Sequence, residues 1–237
     1  MKKHHIIKTM SEYMHLLENE YDSDNDILFR GQNIDKPLLP KIARIKMYQP
    51  VLAREQKMFT EFIRQSTPFL GSVTLNAWDW LALAQHHGMA TRLLDWTINP
   101  LAALWFAVGN PPLKDQYGVI WAFETLSSDF ADLINKDPFK IKRTRLFKPR
   151  NIDARISAQG GWFTAHSFDH RLKIFTAFEK TRVYKKRLSK IIIPAEEFSS
   201  IRRELDRCGY NPMTMFPGLD GLCQHIQWQN SFLADED

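Results

Sequence analysis

The sequence predicts a protein of mixed α+β class that folds as a single domain over residues 1–237. Segments with helical spacing of apolar residues occur together with short apolar stretches bounded by turn residues, which is typical of mixed helices and strands. No strong linker interrupts the 237 residues, and a chain of this length can bury a large core.

Six segments are predicted to be helical. Two of them have clear start signals: Asn76 can cap a helix that Gly88 ends, and Asn99 followed by Pro100 begins an apolar helix that should be deeply buried. The segments are 6–20, 51–65, 76–87, 99–108, 195–208 and 219–226.

Three short apolar stretches are predicted to be strands, namely ILFRG at 27–31, YGVIWAFE at 117–124 and KIIIP at 190–194. The segment 32–50 is expected to be mostly loop because it contains three prolines. Local patterning also predicts a loop for MATRLLDWT at 89–97.

Composition and charge restrict the class of protein only broadly. Hydrophobic residues make up 44% and charged residues 25%, as in ordinary globular proteins, and the net charge of +5 permits a polyanionic partner without requiring one. The basic N-terminus lacks the apolar run of a signal peptide, and no stretch of about 18 apolar residues is present. Cys208 and Cys223 are expected to be free thiols. We therefore expect a cytoplasmic protein that does not bind a membrane.

A basic segment lies at 136–155, with a second basic run at 181–190. Phe139 and Phe147 lie among its cations, and such a mixture can bind phosphates and stack on bases, so nucleic acid is one expected partner. The alternative is a solvated basic face. The cations are Lys136, Lys140, Lys142, Arg143, Arg145, Lys148, Arg150 and Arg155.

Polar residues are concentrated in 85–107, between two apolar helices. Buried charges need partners, so Asp95 is expected to pair with Arg92 or with Arg30. Alternatively, these residues line a pocket at the helix start after Asn99, where free N–H groups suit an anion. Arg30 could then bind phosphate, and Gly31 would let a ligand approach the backbone.

The histidines give only a weak metal signal, and no metal is expected. His166 and His170 are four residues apart but lack an evident third ligand. His86 and His87 are neighbours and point in different directions, so one is expected inside the protein and the other at a cleft.

Several of these residues together resemble the FRG domain family. The resemblance rests on Phe29-Arg30-Gly31, on the block from Gln85 to Ala107 that contains TRLLDWT and Asn99-Pro100, and on Arg155-Ile156, Gln159, Gly161 and Phe163. Glu55 and FPGLDGL at 216–222 also fit the family pattern. The resemblance implies a core at about 25–226, preceded by a helical N-terminal segment at about 1–24.

A looser resemblance is to ADP-ribosyltransferases of the arginine–serine–glutamate type, because ILFRG, LLDWT–NPLAALWFA and YGVIWAFE occur in the order of that fold. It implies a central, mainly antiparallel split sheet flanked by helices, with LLDWT as a strand. It also implies that Arg30 holds the phosphates of NAD, that Thr97 takes the serine position and that Trp96 stacks on a ring. The nucleotide-binding set so implied is Arg30, Gly31, Gln32, His87, Thr91, Arg92, Trp96 and Phe106.

The sequence departs from that pattern at the catalytic glutamate, where it has Gln159. A glutamine cannot supply negative charge beside an oxocarbenium-like centre. Either Asp95, Glu55 or Glu179 supplies the charge, or the site is chemically weak. The expected catalytic set is Arg30, Thr97, Asp95 and Gln159.

The expected function is therefore that of an NAD-consuming ADP-ribosyltransferase, with NAD as substrate and a macromolecule such as RNA or DNA as acceptor. This activity would suit a toxin or phage-defence effector with an antitoxin or other partner protein. Two alternatives stay open: a non-catalytic module that binds a nucleotide or RNA, and a structural interaction domain.

Overall fold

A computed structural model of the chain describes residues 4–21, 26–70, 74–132, 137–150 and 159–236. Its strands are β1 (His4–Ile6), β2 (Ile27–Gln32), β3 (Leu93–Thr97), β4 (Gly118–Glu124), β5 (Arg145–Phe147), β6 (Gly161–Ala165), β7 (Phe168–Asp169), β8 (Ile174–Phe175) and β9 (Leu188–Ile193). Its α-helices are α1 (Met10–Tyr21), α2 (Lys41–Arg44), α3 (Val51–Leu70), α4 (Ala77–His86), α5 (Pro100–Val108), α6 (Arg182–Lys185), α7 (Phe198–Arg207), α8 (Pro212–Met215) and α9 (Leu219–Gln229).

Seven of the described strands form one sheet in the order β1-β9-β4-β2-β3-β6-β5, and β7 and β8 form a separate hairpin. Only the β1–β9 pair is parallel within this described sheet. The predicted mixed α+β class, with a mainly antiparallel sheet flanked by helices, is confirmed at this level.

The sheet opens between β2 and β3. Strand β2 pairs with β4 along its whole length, from Ile27 opposite Glu124 to Gln32 opposite Val119. Its ladder with β3 consists of a single opposed pair, Phe29 and Thr97, within the described residues. The two strands therefore separate on the Arg30 side of this pair, and space for a cavity is created there.

Helix α5 covers one face of the sheet at β2. Its alanines and Trp105 pack in a core cluster with Phe29 of β2 and Ile120 of β4. The approach is close because a Cβ on Gly31 would overlap the carbonyl oxygen of Ala103. Gly31 is therefore required for helix packing, whereas the sequence suggested that it makes room for a ligand.

The opposite face of the sheet carries a second core. Leu28 of β2 and Trp96 of β3 pack in this cluster with Trp121 and Phe123 of β4. Leu28 is the neighbour of Phe29, and neighbouring residues in a strand point to opposite faces of the sheet. This alternation decides which side chains of β3 can reach the opening beside β2.

Both predicted helix starts are confirmed. The Asn76 side chain accepts hydrogen bonds from the backbone N–H groups of Trp78 and Asp79, and the Asp79 carboxylate accepts one from Asn76, which forms a capping box. The Asn99 side chain accepts from the N–H groups of Leu101 and Ala102 at the start of α5.

Local patterning was wrong at several positions. The predicted loop 89–97 contains β3, because Leu93–Thr97 pairs with β6 along its whole length. The predicted helix 6–20 begins only at Met10, after β1. The proline-rich segment 32–50 is mostly loop, as predicted, but it contains the four-residue helix α2. Helix α3 continues to Leu70, beyond its predicted end. In the described part of the chain, no helix is both long and apolar enough to cross a membrane.

Candidate functional site

A cavity of about 420 Å³ lies where β2 and β3 separate. This volume falls within the range of about 300–1,000 Å³ that is typical of small-molecule sites. Its walls come from β2, β3, β6, α2, α5 and the C-terminal end of α4. The lining residues include Arg30, Gly31, Asp95, Trp96, Thr97, Phe106 and Gln159 from the predicted set. We refer to this cavity as the cleft pocket.

Arg30 bridges the gap between the two strands. Its Nη1 donates a hydrogen bond to the backbone carbonyl oxygen of Asp95 at 2.7 Å and lies 3.5 Å from the Asp95 carboxylate. Burial lowers the pKa of Arg30, the Asp95 carboxylate opposes this shift, and the positive charge of Arg44 adds to it. An arginine keeps its charge despite such a shift, so Arg30 places a cation in the pocket wall.

Asp95 carries the only carboxylate among the described residues that line the pocket. Its side chain is 57% exposed. The Gln85 amide nitrogen lies 3.2 Å and 3.3 Å from its two carboxylate oxygens, and the Gln85 amide oxygen accepts a hydrogen bond from the Thr91 hydroxyl at 2.7 Å. Thr91 therefore orients Gln85, which in turn orients Asp95.

Thr97 and Gln159 line the pocket but are engaged in internal hydrogen bonds. The Thr97 hydroxyl donates to the backbone carbonyl of Gln159 and accepts from the backbone N–H of Asn99. The Gln159 side-chain amide donates to the carbonyl of Met215 at 2.8 Å. These bonds hold the β3–α5 turn against the chain that enters β6.

Trp96 contributes to the pocket wall, but its ring lies in the core. Its Nε1 donates to the Thr164 hydroxyl, and the ring packs against Phe123 and Phe178. Stacking of this ring on a ligand would require it to leave the core. Phe106 and Phe163 are aromatic residues that line the pocket from α5 and β6.

Four residues of the predicted nucleotide-binding set lie outside the pocket wall. Gln32 accepts a hydrogen bond from the Trp121 indole, Thr91 is the partner of Gln85, and His87 is exposed at the end of α4. Arg92, the fourth, belongs to a buried ion pair.

That ion pair joins Arg92 to Glu55 of α3, and their side chains are 1% and 2% exposed. The Arg92 Nε and Nη2 donate to the two Glu55 carboxylate oxygens at 3.0 Å and 2.6 Å, and Nη1 donates to the carbonyl of Pro138. The Arg92–Asp95 pairing expected as one alternative is therefore wrong, and the Asp95–Arg30 alternative is present. Both Glu55 carboxylate oxygens accept hydrogen bonds from Arg92, and the Glu179 carboxylate accepts one from the backbone N–H of Leu38. Of the three candidate acids, Asp95 is the one that lines the pocket.

The start of α5 does not offer the anion site that the sequence suggested. The Asn99 side chain already accepts from the first free N–H groups of the helix. Bonds of this kind satisfy the donors that an anion would otherwise use.

The predicted site sets did not contain the pocket residues Lys41, Arg44, Gln85, Gly88 and Trp162. His86 is the member of the His86–His87 pair that lies at the cleft. Lys41 and Arg44 are three residues apart directly after Pro40, a spacing that places both on one face of a helical turn. That signal was present, but the prolines of 32–50 favoured a loop.

The described cations of the basic segment are mostly engaged within the protein. Arg143 and Arg145 both donate to the carbonyl of Ser128, and Arg150 pairs with Asp79. Lys148 lies over the Trp162 ring. Two further cations of the basic segment, Lys136 and Arg155, lie outside the described residues. This arrangement favours a structural role for much of the segment.

No group of three His, Cys, Asp or Glu side chains that could hold a metal ion occurs in the described ranges. Cys208 and Cys223 are exposed free thiols. His166, one of the two metal candidates, is buried, with its Nε2 3.3 Å from the Thr164 hydroxyl.

Comparison with protein families identifies one domain. The family model of the FRG domain matches residues 25–116, so the chain contains an FRG domain over that range. This range includes β2, α2, α3, α4, β3 and α5, and therefore most of the pocket wall. Neither the comparison with curated proteins nor the comparison with solved structures gave a significant match.

Proposed function

We propose that the cleft pocket binds NAD and that the protein is an ADP-ribosyltransferase-like enzyme. The observation that carries the proposal is the placement of Arg30 and Asp95 at one opening in the sheet, within a single cavity. A dinucleotide requires a cation for its diphosphate, and cleavage of its nicotinamide–ribose bond benefits from a carboxylate near the developing positive charge.

In this reaction the glycosidic bond between the ribose carbon and nicotinamide breaks, and nicotinamide leaves with the bonding electron pair. The ribose carbon then bonds to a nucleophilic atom of the acceptor, which loses its proton. Asp95 stabilises the oxocarbenium-like centre by charge. Arg30 holds the diphosphate, and Phe106 offers a ring surface for a base.

Asp95 can serve in this role without releasing Arg30. The short hydrogen bond from Arg30 goes to the backbone carbonyl of Asp95, and the carboxylate lies further away. Replacement by asparagine therefore removes the charge and keeps the backbone contact. Asp95→Asn is expected to lower nicotinamide release from NAD about 100-fold while the Kd for ADP-ribose changes little.

The matched control is Asp115→Asn, an identical substitution at an exposed position in the loop after α5. It is expected to match the wild type in both assays. The acceptor is sought with labelled NAD and cell extract, with RNA, DNA and protein fractions separated afterwards. The proposal fails if the folded wild-type protein releases no nicotinamide and transfers no label, or if Arg30→Ala behaves like the wild type.

A second candidate function is a non-catalytic module that binds a nucleotide. It is favoured by the internal hydrogen bonds of Thr97 and Gln159, which occupy the hydroxyl and amide groups that catalysis would use. Calorimetry distinguishes the two functions, since binding of ADP-ribose without turnover of NAD supports the module.

The proposed enzyme would suit a toxin or phage-defence effector. Induced expression in a bacterial host tests this role. Growth arrest by the wild type and normal growth with Asp95→Asn support it, whereas equal growth contradicts it.

A further inference from the structure

Helix α2 brings two cations to the cleft pocket that the proposed function does not use. Lys41 and Arg44 both line the pocket that Arg30 also lines. Together with Arg30 they give three side-chain cations against one carboxylate among the described lining residues. This excess of positive charge favours an anionic occupant.

The position of α2 is set by contacts on its other sides. Ile42 is 2% exposed and packs in a core cluster with Ala90 and Phe175. Its backbone N–H donates to the carbonyl of Thr91, just before β3. Lys41 Nζ donates to the carbonyl of Gly88 at 2.7 Å. These contacts tie the α2 backbone and the Lys41 side chain to the chain between α4 and β3, so the helical turn that carries both cations is positioned before a ligand arrives.

Arg44 and Arg30 are like charges that line the same pocket, and the positive charge of Arg44 contributes to the lowered pKa of Arg30. Asp95 is an ion-pair partner of Arg30, but Arg44 has no ion-pair partner within the described part of the chain. Lys41 retains N–H donors beyond the one that it gives to Gly88. An anion placed between these groups would relieve the repulsion and accept their hydrogen bonds.

We infer that Lys41, Arg44 and Arg30 form a subsite for a diphosphate group, with α2 supplying one side and β2 the other. The inference concerns the same pocket as the proposed function and names the part of the ligand that the pocket selects. A ligand with two adjacent phosphates fits three cations, of which Arg30 is partly neutralised by Asp95. The subsite therefore selects nucleoside diphosphate compounds over nucleosides.

The test is calorimetric titration of inorganic pyrophosphate, ADP-ribose and adenosine into wild-type protein and into a Lys41→Gln/Arg44→Gln double variant. Glutamine keeps a hydrogen-bond donor at Lys41 and removes the charge. Pyrophosphate and ADP-ribose are expected to bind the wild type, with affinity that falls as salt rises, and to bind the double variant about 10–100-fold more weakly. Adenosine is expected to bind both proteins equally weakly.

Lys46→Gln is the matched control, because Lys46 is an exposed cation two residues after Arg44 and lies outside the pocket wall. It is expected to keep wild-type affinity. If the double variant fails to fold, Arg44→Gln alone replaces it, since Arg44 is exposed and has no ion pair to lose among described residues. Equal pyrophosphate affinity in wild type and variant, or no binding to the wild type, overturns the inference.

Failure of this inference is distinguishable from failure of the proposed function. Pyrophosphate binding that depends on Lys41 and Arg44, without nicotinamide release from NAD, supports the diphosphate subsite and contradicts the proposed enzymatic function. Nicotinamide release with the same KM for NAD in the wild type and the double variant supports the proposed enzymatic function and contradicts the diphosphate subsite.

Discussion

Replacing Glu55 by glutamine is expected to destabilise the fold strongly, because it breaks the buried ion pair with Arg92. Both side chains are almost fully buried, and each Glu55 oxygen accepts from the guanidinium. A glutamine oxygen can still accept from the Arg92 backbone and Nε. Its amide nitrogen, however, would face Arg92 Nη2, where the structure has a 2.6 Å hydrogen bond, so two donors would meet.

The size of the effect follows from the charge that remains. Removing one partner of a buried ion pair typically costs about 3–5 kcal/mol, because the other charge stays buried without compensation. The Arg92 guanidinium would keep its hydrogen bonds to the glutamine oxygen and to Pro138 and its contacts with the Phe139 and Phe175 rings, but no negative charge would remain beside it. For a chain of this length, such a loss lowers Tm by about 6–20 °C.

Urea unfolding followed by tryptophan fluorescence measures the loss, with thermal melting as a second readout. Glu61→Gln is the matched control: Glu61 lies on the same helix and pairs with Arg64 at the surface, so no measurable change in midpoint is expected. A double variant with methionine at both 55 and 92 should recover part of the loss, since it buries no unpaired charge. A Glu55→Gln protein within about 1 kcal/mol of the wild type would refute the reasoning, because this is far below the cost of an uncompensated buried charge.

Three further predictions concern residues around the pocket. Gly31→Ala is expected to cost about 3 kcal/mol or more in unfolding free energy, because its Cβ would overlap the Ala103 carbonyl oxygen; an unchanged urea midpoint would contradict this. Burial lowers the pKa of His166 to about 3, so the unfolded chain binds a proton below pH 6.5 that the folded protein does not. The stability that neutral His166 contributes is therefore present above pH 6.5 and is lost as the pH falls, by about 2 kcal/mol of unfolding free energy between pH 7 and pH 5. A His166→Gln variant should lose less stability over this range. His170→Gln, at an exposed position, should behave like the wild type. If His166→Gln has wild-type acid sensitivity, the assignment is wrong. Gln85→Met removes the hydrogen bond that orients Asp95 and is expected to lower kcat for NAD cleavage about three- to tenfold, while the urea midpoint stays close to that of the wild type. A variant kcat equal to that of the wild type would show that Asp95 does not need Gln85.

Much of the sheet order and of the pocket was not accessible from sequence patterns. The segment LLDWT has no strict apolar–polar alternation, and it becomes a strand because β6 pairs with it. Arg92 finds its partner in Glu55, 37 residues earlier in the chain, where no local spacing points to the pair. The contribution of α2 to the pocket likewise depends on the burial of Ile42 against elements distant in sequence.

The sequence by itself determined the features that depend on near neighbours in the chain. The starts of α4 and α5 follow from Asn76 and Asn99, because a cap and the N–H groups it accepts from are only two or three residues apart. ILFRG was recognisable as the strand β2. The tertiary structure alone decided which polar residues meet, since ion pairs and pocket walls join residues that only folding brings together. It thereby separated Arg30 and Asp95 at the pocket from Arg92 in the core.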